Sequence, residues 1–140
     1  MGARKRKMAE NLKKEKRSKA IAKLNDCPTS PRKMRLVADL IRGVEVNRAM
    51  DILRFSKKEA STRLEKLVKS AINNWEAKNE DLKLDNVFLY VKEIFVNQGR
   101  TIKRMHPASR GRTAIVRKRS NHVTVVLDVK IEETNEKTEE

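Results

Sequence analysis

Apolar positions recur at helical spacing through the first half of this chain and at every second residue in its last third. Met34, Val37, Ala38 and Ile41 lie three or four apart, which places them on one face of a helix. Ser30-Pro31 ahead of them sets a capping residue before a proline whose missing N–H costs nothing in a first turn. Gly43 follows as a C-cap candidate, with Arg42 beside the negative end of the helix dipole. Asn47 is placed to cap a second, short helix carrying Ala49, Met50, Ile52 and Leu53. Ser56-Lys57-Lys58-Glu59 has the form of a capping box. The long helix it opens puts Ala60, Leu64, Leu67, Val68, Ala71, Ile72 and Trp75 on one face, with Arg63, Lys66, Lys69 and Asn73 opposite. Trp75, an aromatic among leucines at helical spacing, is assigned to the core.

Residues 20–25, AIAKLN, alternate weakly and fit a first strand. After Asp85 the period becomes two. Residues 87–96, VFLYVKEIFV, predict a strand with apolar residues on both faces near its start. Over 123–131, Val123, Val125, Leu127, Val129 and Ile131 alternate with Thr124, Val126, Asp128 and Lys130, so one face is buried and the other mostly wet. These two strands pair as a hairpin.

Charge changes the picture at both ends. Residues 1–19 hold Arg4, Lys5, Arg6, Lys7, Lys13, Lys14, Lys16, Arg17 and Lys19 against Glu10 and Glu15 alone. That composition predicts a disordered arm with at most a nascent helix. Residues 132–140, EETNEKTEE, predict an acidic, disordered tail. A single domain is expected over 20–131, and 140 residues suffice for one real core.

The whole chain has 34 basic and 19 acidic residues, a net charge of +15. Such an excess repels itself in a compact state unless a polyanion neutralises it: a nucleic acid or an anionic membrane. No run of about 18 apolar residues exists to span a bilayer. The first residues lack the apolar centre of a signal peptide, so the protein is expected in the cytosol. Cys27, the one cysteine, allows no internal disulfide, as a reducing compartment would require.

From Ile94 to Leu127 there is no acid at all, while Arg100, Lys103, Arg104, Arg110, Arg112, Arg117, Lys118 and Arg119 all fall there, with His106 and His122. Pro107 and Gly111 mark a turn near the middle. The simplest geometry is one long hairpin, its extended part at about 97–122, with about 12 residues per arm and a reach of roughly 40 Å. A free ribbon of that kind is unstable in water and needs a surface to lie on. Eight cations without an anion say that the surface is rich in phosphate, and guanidinium forks suit folded RNA. One surface arginine merely solvates; an acid-free run of this length does more. Arg32, Lys33 and Arg35 make a second candidate, because they surround a helix N-terminus whose free N–H groups favour phosphate.

Catalysis finds no support. The chain has no nucleophile elbow, no phosphate-cradling glycine loop and no recognisable pair of carboxylates. Ser120 and His122 lack a third partner. No His or Cys cluster has metal spacing, so neither metal nor cofactor is expected.

The run SPRKMRLVADLIRG (30–43), the short helix AMDIL (49–53), the helix end SAINNWEAKN (70–79) and KRMHPASRGRTAIVRKRSNHVTVVL (103–127) together resemble the bacterial large-subunit ribosomal protein twenty-two family over about residues 20–131. The resemblance implies an α+β fold, three helices packed on a small antiparallel sheet with a long protruding β-hairpin. It implies a structural constituent of the large ribosomal subunit that binds large-subunit ribosomal RNA and supports its assembly. The globular part would sit near the tunnel exit, and the hairpin would thread inward so that its tip lines the nascent-peptide tunnel, where macrolides and stalling peptides are sensed. Ile102, Lys103, Arg104, Arg110, Gly111 and Arg112 match the tip. Arg32, Lys33 and Arg35 match the basic helix start; Arg117, Lys118, Arg119 and His122 match the returning arm, and Arg100 joins them as an RNA-binding candidate. Implied partners are ribosomal RNA, neighbouring large-subunit proteins and the nascent peptide, with no membrane and no homo-oligomer. The two tails extend beyond the family's compact form.

Two other classes fit some features. An architectural DNA-binding protein would use the ribbon in a groove, or the helix pair at 30–55 as a helix-turn-helix. A membrane-surface protein would use the helix at 57–78, whose apolar face the core needs. Cofractionation with ribosomal subunits separates these from the ribosomal reading.

Overall fold

The computed structural model describes residues 3–79 and 87–129. In chain order they form α1 (Ala3–Ser18), β1 (Ala20–Cys27), α2 (Pro31–Ile41), α3 (Val46–Phe55), α4 (Glu59–Glu76), β2 (Leu89–Pro107), a 3-10 turn (Ser109–Gly111) and β3 (Thr113–Val129). The strands make one antiparallel sheet in the order β1-β3-β2. The α+β class and the protruding hairpin are as expected. The acidic stretch 132–140 lies outside the described residues.

The helix count differs, four among the described residues rather than three. The extra one is α1, where the sequence predicts disorder. Its Ala, Met, Leu, Lys, Arg and Glu residues are all good helix formers, and Arg6 pairs with Glu10 one turn on at 3.2 Å. Residues 4–14 are exposed throughout, so the helix buries nothing there.

Two caps also fall elsewhere. Val46, buried at 1% exposure, is drawn into the first turn of α3, so Glu45 and not Asn47 precedes that helix. Ser56 is the extended C-cap of α3, which takes it out of any box at the start of α4. Lys58 precedes α4 instead, and Glu59 accepts a hydrogen bond from Arg63, one turn on, at 2.9 Å.

Helices α2, α3 and α4 cover one face of the sheet. Met34, Val37, Ile41, Leu53, Leu64, Val68 and Trp75 meet Ala20, Ala22, Val91, Ile94, Val123, Val125 and Leu127 in a single core. The connection from α2 to α3 then closes the outer edge of β2. Gly43, at φ +74°, turns the chain in the left-handed region that suits glycine, and its N–H donates to Val91 O at 2.8 Å. Val91 N–H donates in turn to Val44 O at 3.0 Å. Arg35 donates to Val96 O and Arg42 to Ile94 O, so two guanidiniums satisfy further carbonyls along the same strand.

Beyond the core β2 and β3 continue as a ribbon of seven pairs, Thr101↔Arg119 to Pro107↔Thr113. At about 3.3 Å per residue this is roughly 23 Å, shorter than the 40 Å expected, because the arms stay part of the sheet as far as Asn97↔His122 and Gln98↔Asn121. The ribbon leaves where both neighbours of β3 are bulged. Gly99 and Arg100 together oppose Ser120, and the register of β1 shifts between Leu24 and Cys27. Bulges bend a strand and raise its twist.

Both ends of the sheet can be tested by substitution. A β-carbon at Gly99 would lie 2.6 Å from Ser120 Oγ, 3.1 Å from Ser120 C and 3.1 Å from His122 Nε2. Gly99→Ala should therefore cost about 1–3 kcal/mol in urea unfolding, and wild-type stability would show that the bulge accommodates the methyl freely. At the other end, the Lys92 ammonium hydrogen-bonds Asp128 and holds that carboxyl below its ordinary value, with the Val129 N–H helping. A depressed carboxyl stabilises the fold in full above its unfolded value of about 3.9 and loses that contribution as pH falls through the folded value. The urea midpoint of the wild type should exceed that of Asp128→Asn near neutrality, and the gap should close on acidification. A gap that persists in acid would contradict the pairing.

Candidate nucleic-acid interface

Every residue from Ile102 to Arg119 is exposed. Directly opposed residues of an antiparallel ladder share a face, so the register sorts the ribbon's cations. Lys103 stands opposite Arg117, and Arg119, two residues along β3, lies on the same side. The other side carries Lys118 opposite Ile102 and Arg104 opposite Val116. Like charges directly opposed destabilise a ladder. Among the described residues no carboxylate comes within ion-pair distance of any of these side chains. The ribbon is thus positive on both faces and unneutralised along its length.

Nearer the tip the ribbon turns apolar. Met105 and Ile115 are paired on the Lys103 side and are 83% and 63% exposed. His106 faces Ala114. The tip itself is tightly built. Ala108 N–H donates to Arg112 O at 2.8 Å and Arg112 N–H to Ser109 O at 3.3 Å. Gly111 takes φ +68°, and Arg110 takes φ +56°, ψ +37°. The left-handed conformation costs a non-glycine residue roughly 1–2 kcal/mol, so the outermost cation of the ribbon sits on a strained backbone.

At the base the ribbon meets the start of α2. Asp26 at the end of β1, with Pro28 and Ser30 from the β1–α2 connection, faces Arg100, Ile102, Lys118, Arg119 and Ser120 across a cleft of about 660 Å³. Ser30 occupies the N-cap position of α2 but makes no side-chain cap bond. The structure therefore brings together two groups that are separate in the sequence, the helix start and the roots of both hairpin arms. Arg32 and Lys33 are exposed in the first turn of α2. Arg35 is placed differently: its guanidinium donates twice to Val96 O, at 3.0 and 3.3 Å, and ties the helix to the sheet.

His122 also has a local partner. Its Nδ1 accepts the backbone N–H of Asp26 at 3.1 Å, while Nε2 lies 3.8 Å from Asp26 Oδ1. Asp26 takes φ +50°, which aspartate tolerates better than most residues. Asn121, fully buried, donates from Nδ2 to Thr29 O at 2.6 Å, and Ser120 Oγ donates to Arg100 O at 2.7 Å. These residues form a polar collar around the root of the ribbon. Sequence reasoning misses Asp26, Asn121 and Gly99 as a group. The available signals are the Asn25-Asp26 pair and a glycine inside a strand pattern, both marks of bulges.

Among the described residues no group of three or more His, Cys, Asp or Glu is placed to hold a metal ion, and no helix is long and apolar enough to cross a membrane. Residues 6–128 match the family model described as ribosomal protein L22p/L17e. The chain is 62% identical over 127 residues to the large ribosomal subunit protein uL22 of Christiangramia forsetii, covering 91% of this chain and 94% of that protein. It is 61% identical over 127 residues to the protein of the same name from Flavobacterium johnsoniae, covering 91% and 93%. With that of Bacteroides fragilis it shares 58% over 130 residues, covering 93% and 95%. A family model matched over residues 6–128 and relatives this similar over nearly their whole length show that the chain belongs to the ribosomal protein L22p/L17e family, a structural component of the large ribosomal subunit and not an enzyme.

Proposed function

We propose that this structural constituent of the large ribosomal subunit binds large-subunit ribosomal RNA through its ribbon and supports the folding of that RNA during assembly. The observation that carries the reading is the pairing of Lys103 with Arg117, with Arg119 beside them and no carboxylate within ion-pair distance among the described residues. Alone in water such a ladder repels itself. Phosphates on both sides turn the repulsion into binding, with counterion release adding to it. The cleft between Ser30 and the hairpin roots offers a further place for phosphate, since Arg100, Lys118 and Arg119 line it against one carboxylate, Asp26. The family resemblance implies a place for the tip as well. Its exposed Met105–Ile115 pair and strained Arg110 suit the wall of the nascent-peptide exit tunnel, with the nascent peptide passing the tip. Neighbouring large-subunit proteins meet the globular part, and the protein acts in the cytoplasm as a single copy, away from membranes.

Sucrose-gradient sedimentation of a cell lysate at high salt tests the first step. Comigration of the protein with the large subunit is expected; a free or DNA-bound pool without subunit signal would replace this reading with an architectural DNA-binding one. Joint replacement of Lys103, Arg117 and Arg119 by Ala should leave helical circular dichroism intact, weaken RNA binding, and lower the salt slope by about one for each phosphate no longer held. An unchanged slope would show that the ribbon does not touch phosphate. Shortening residues 103–112 should preserve subunit assembly and change macrolide sensitivity. Subunits that lack the shortened protein would refute the placement of the tip.

A further inference from the structure

The sheet has a second face, opposite the one on which the core of α2, α3 and α4 packs. On this face Lys23 of β1, Thr124 of β3 and Phe95 of β2 stand in one cross-strand row. Phe95 is 50% exposed, although its neighbours Ile94 and Val96 are buried on the core side. Two further lysines approach from the β1 side. Lys19 is exposed just ahead of the strand, and Lys78, in the turn after α4, donates to Lys19 O at 2.5 Å. Asn74 does the same to Ile21 O at 3.1 Å. The result is a groove of about 820 Å³ with the aromatic ring on one bank and three lysines on the other, against one acid, Glu93.

We propose that this face is a stacking platform for an unpaired RNA nucleotide, its base on the ring of Phe95 and its phosphates toward Lys23, Lys19 and Lys78. The proposal rests on the RNA-binding reading above and adds a second site with different chemistry. Duplex RNA buries its bases and presents phosphate and ribose; unpaired nucleotides offer a ring face, which aromatic side chains on sheets hold without regard to sequence. Thr124 beneath the base and Asn97 two residues beyond Phe95 supply hydroxyl and amide groups for a base edge. A protein neighbour fits less well. The apolar surface here is one ring, with Val126 already buried and Ile21 half-buried, and the rest is charged or polar.

The test uses the full chain and two fluorescent probes, a short unstructured RNA of mixed sequence and an RNA duplex. Phe95→Leu should weaken the unstructured RNA by roughly 5- to 150-fold and leave the duplex unchanged, while Phe95→Tyr should bind both as the wild type does. Photocross-linking of the wild type to the same RNA carrying 5-iodouridine should label Phe95. Should Phe95→Leu fail to fold, the cross-link alone decides, and no label at Phe95 overturns the proposal. Unchanged affinity of a folded Phe95→Leu, with cross-links confined to the hairpin, also overturns it, while loss of binding by the Lys103, Arg117 and Arg119 variant keeps the ribbon reading intact. A wild type that binds neither probe would sink that broader reading instead. If Phe95→Leu keeps its RNA affinity but enters subunits poorly, the face belongs to a protein neighbour and not to RNA.

Discussion

One uninterrupted strand, β3, runs from the tip of the ribbon to the centre of the core, and the position of every cation follows from its register. Val123, Val125 and Leu127 fill the core between β1 and β2, while Arg117, Lys118 and Arg119 on the same strand stand in solvent. A slip of one residue would turn each of these to the opposite face. Asn121 sits at the changeover. Its amide is buried and donates to Thr29 O, and its Oδ1 has no partner among the described residues. An unmade buried hydrogen bond costs about 1–3 kcal/mol. Displacing Asn121 would give up the bond to Thr29 and carry Ser120 or His122 into its place, where neither would keep its present partner. The collar thus resists the one error that the regular ladder above it would tolerate.

The exposed edges of the sheet are treated in two ways. Near the core the outer edge of β2 is closed by Arg35, Arg42 and the Gly43–Val44 connection, and β1 receives Asn74. From Ile102 to Arg119 the ribbon is exposed throughout. Bare edges invite strand addition from other chains, and charge is the usual defence. Here the same cations do both jobs. They disfavour pairing between two copies of the ribbon and leave it open to a polyanion, which would relieve the repulsion between Lys103 and Arg117.

Much of this is legible in the sequence because it depends on local periodicity. The apolar positions of α2 and α4, the Gly43 turn, the alternation over 123–129 and the acid-free stretch each mark an element found in the structure. Ser30 holds the expected N-cap position of α2, but the starts of α3 and α4 do not follow local pattern: burial of Val46 and the extended Ser56 move both away from the best capping residues. The helix at 3–18 resembles disorder in its composition because its stability owes nothing to an apolar face, only to propensity and pairs such as Arg6–Glu10. At the candidate interface the sequence shows which residues are basic. It does not show that Arg35 is spent on Val96 O, that His122 is tied to Asp26, or that Ser30 lies across a cleft from Lys118. Those are pairings between residues 61 to 96 positions apart, or contacts across bulges that shift the count.

On the proposed reading the two surfaces would ask different things of RNA, and each would lack what the other supplies. A ribbon of arginines and lysines binds wherever phosphates run alongside it, and its affinity falls steeply with salt. Nothing in a row of phosphate contacts fixes where along the RNA the ribbon stops, because each phosphate resembles the next. A base seated on Phe95 contributes little charge and so little salt dependence, but it can be occupied only where a nucleotide is unpaired and turned outward. Held at the root of a ribbon whose register is locked by Asn121, one such nucleotide would set the axial position of every cation beyond it.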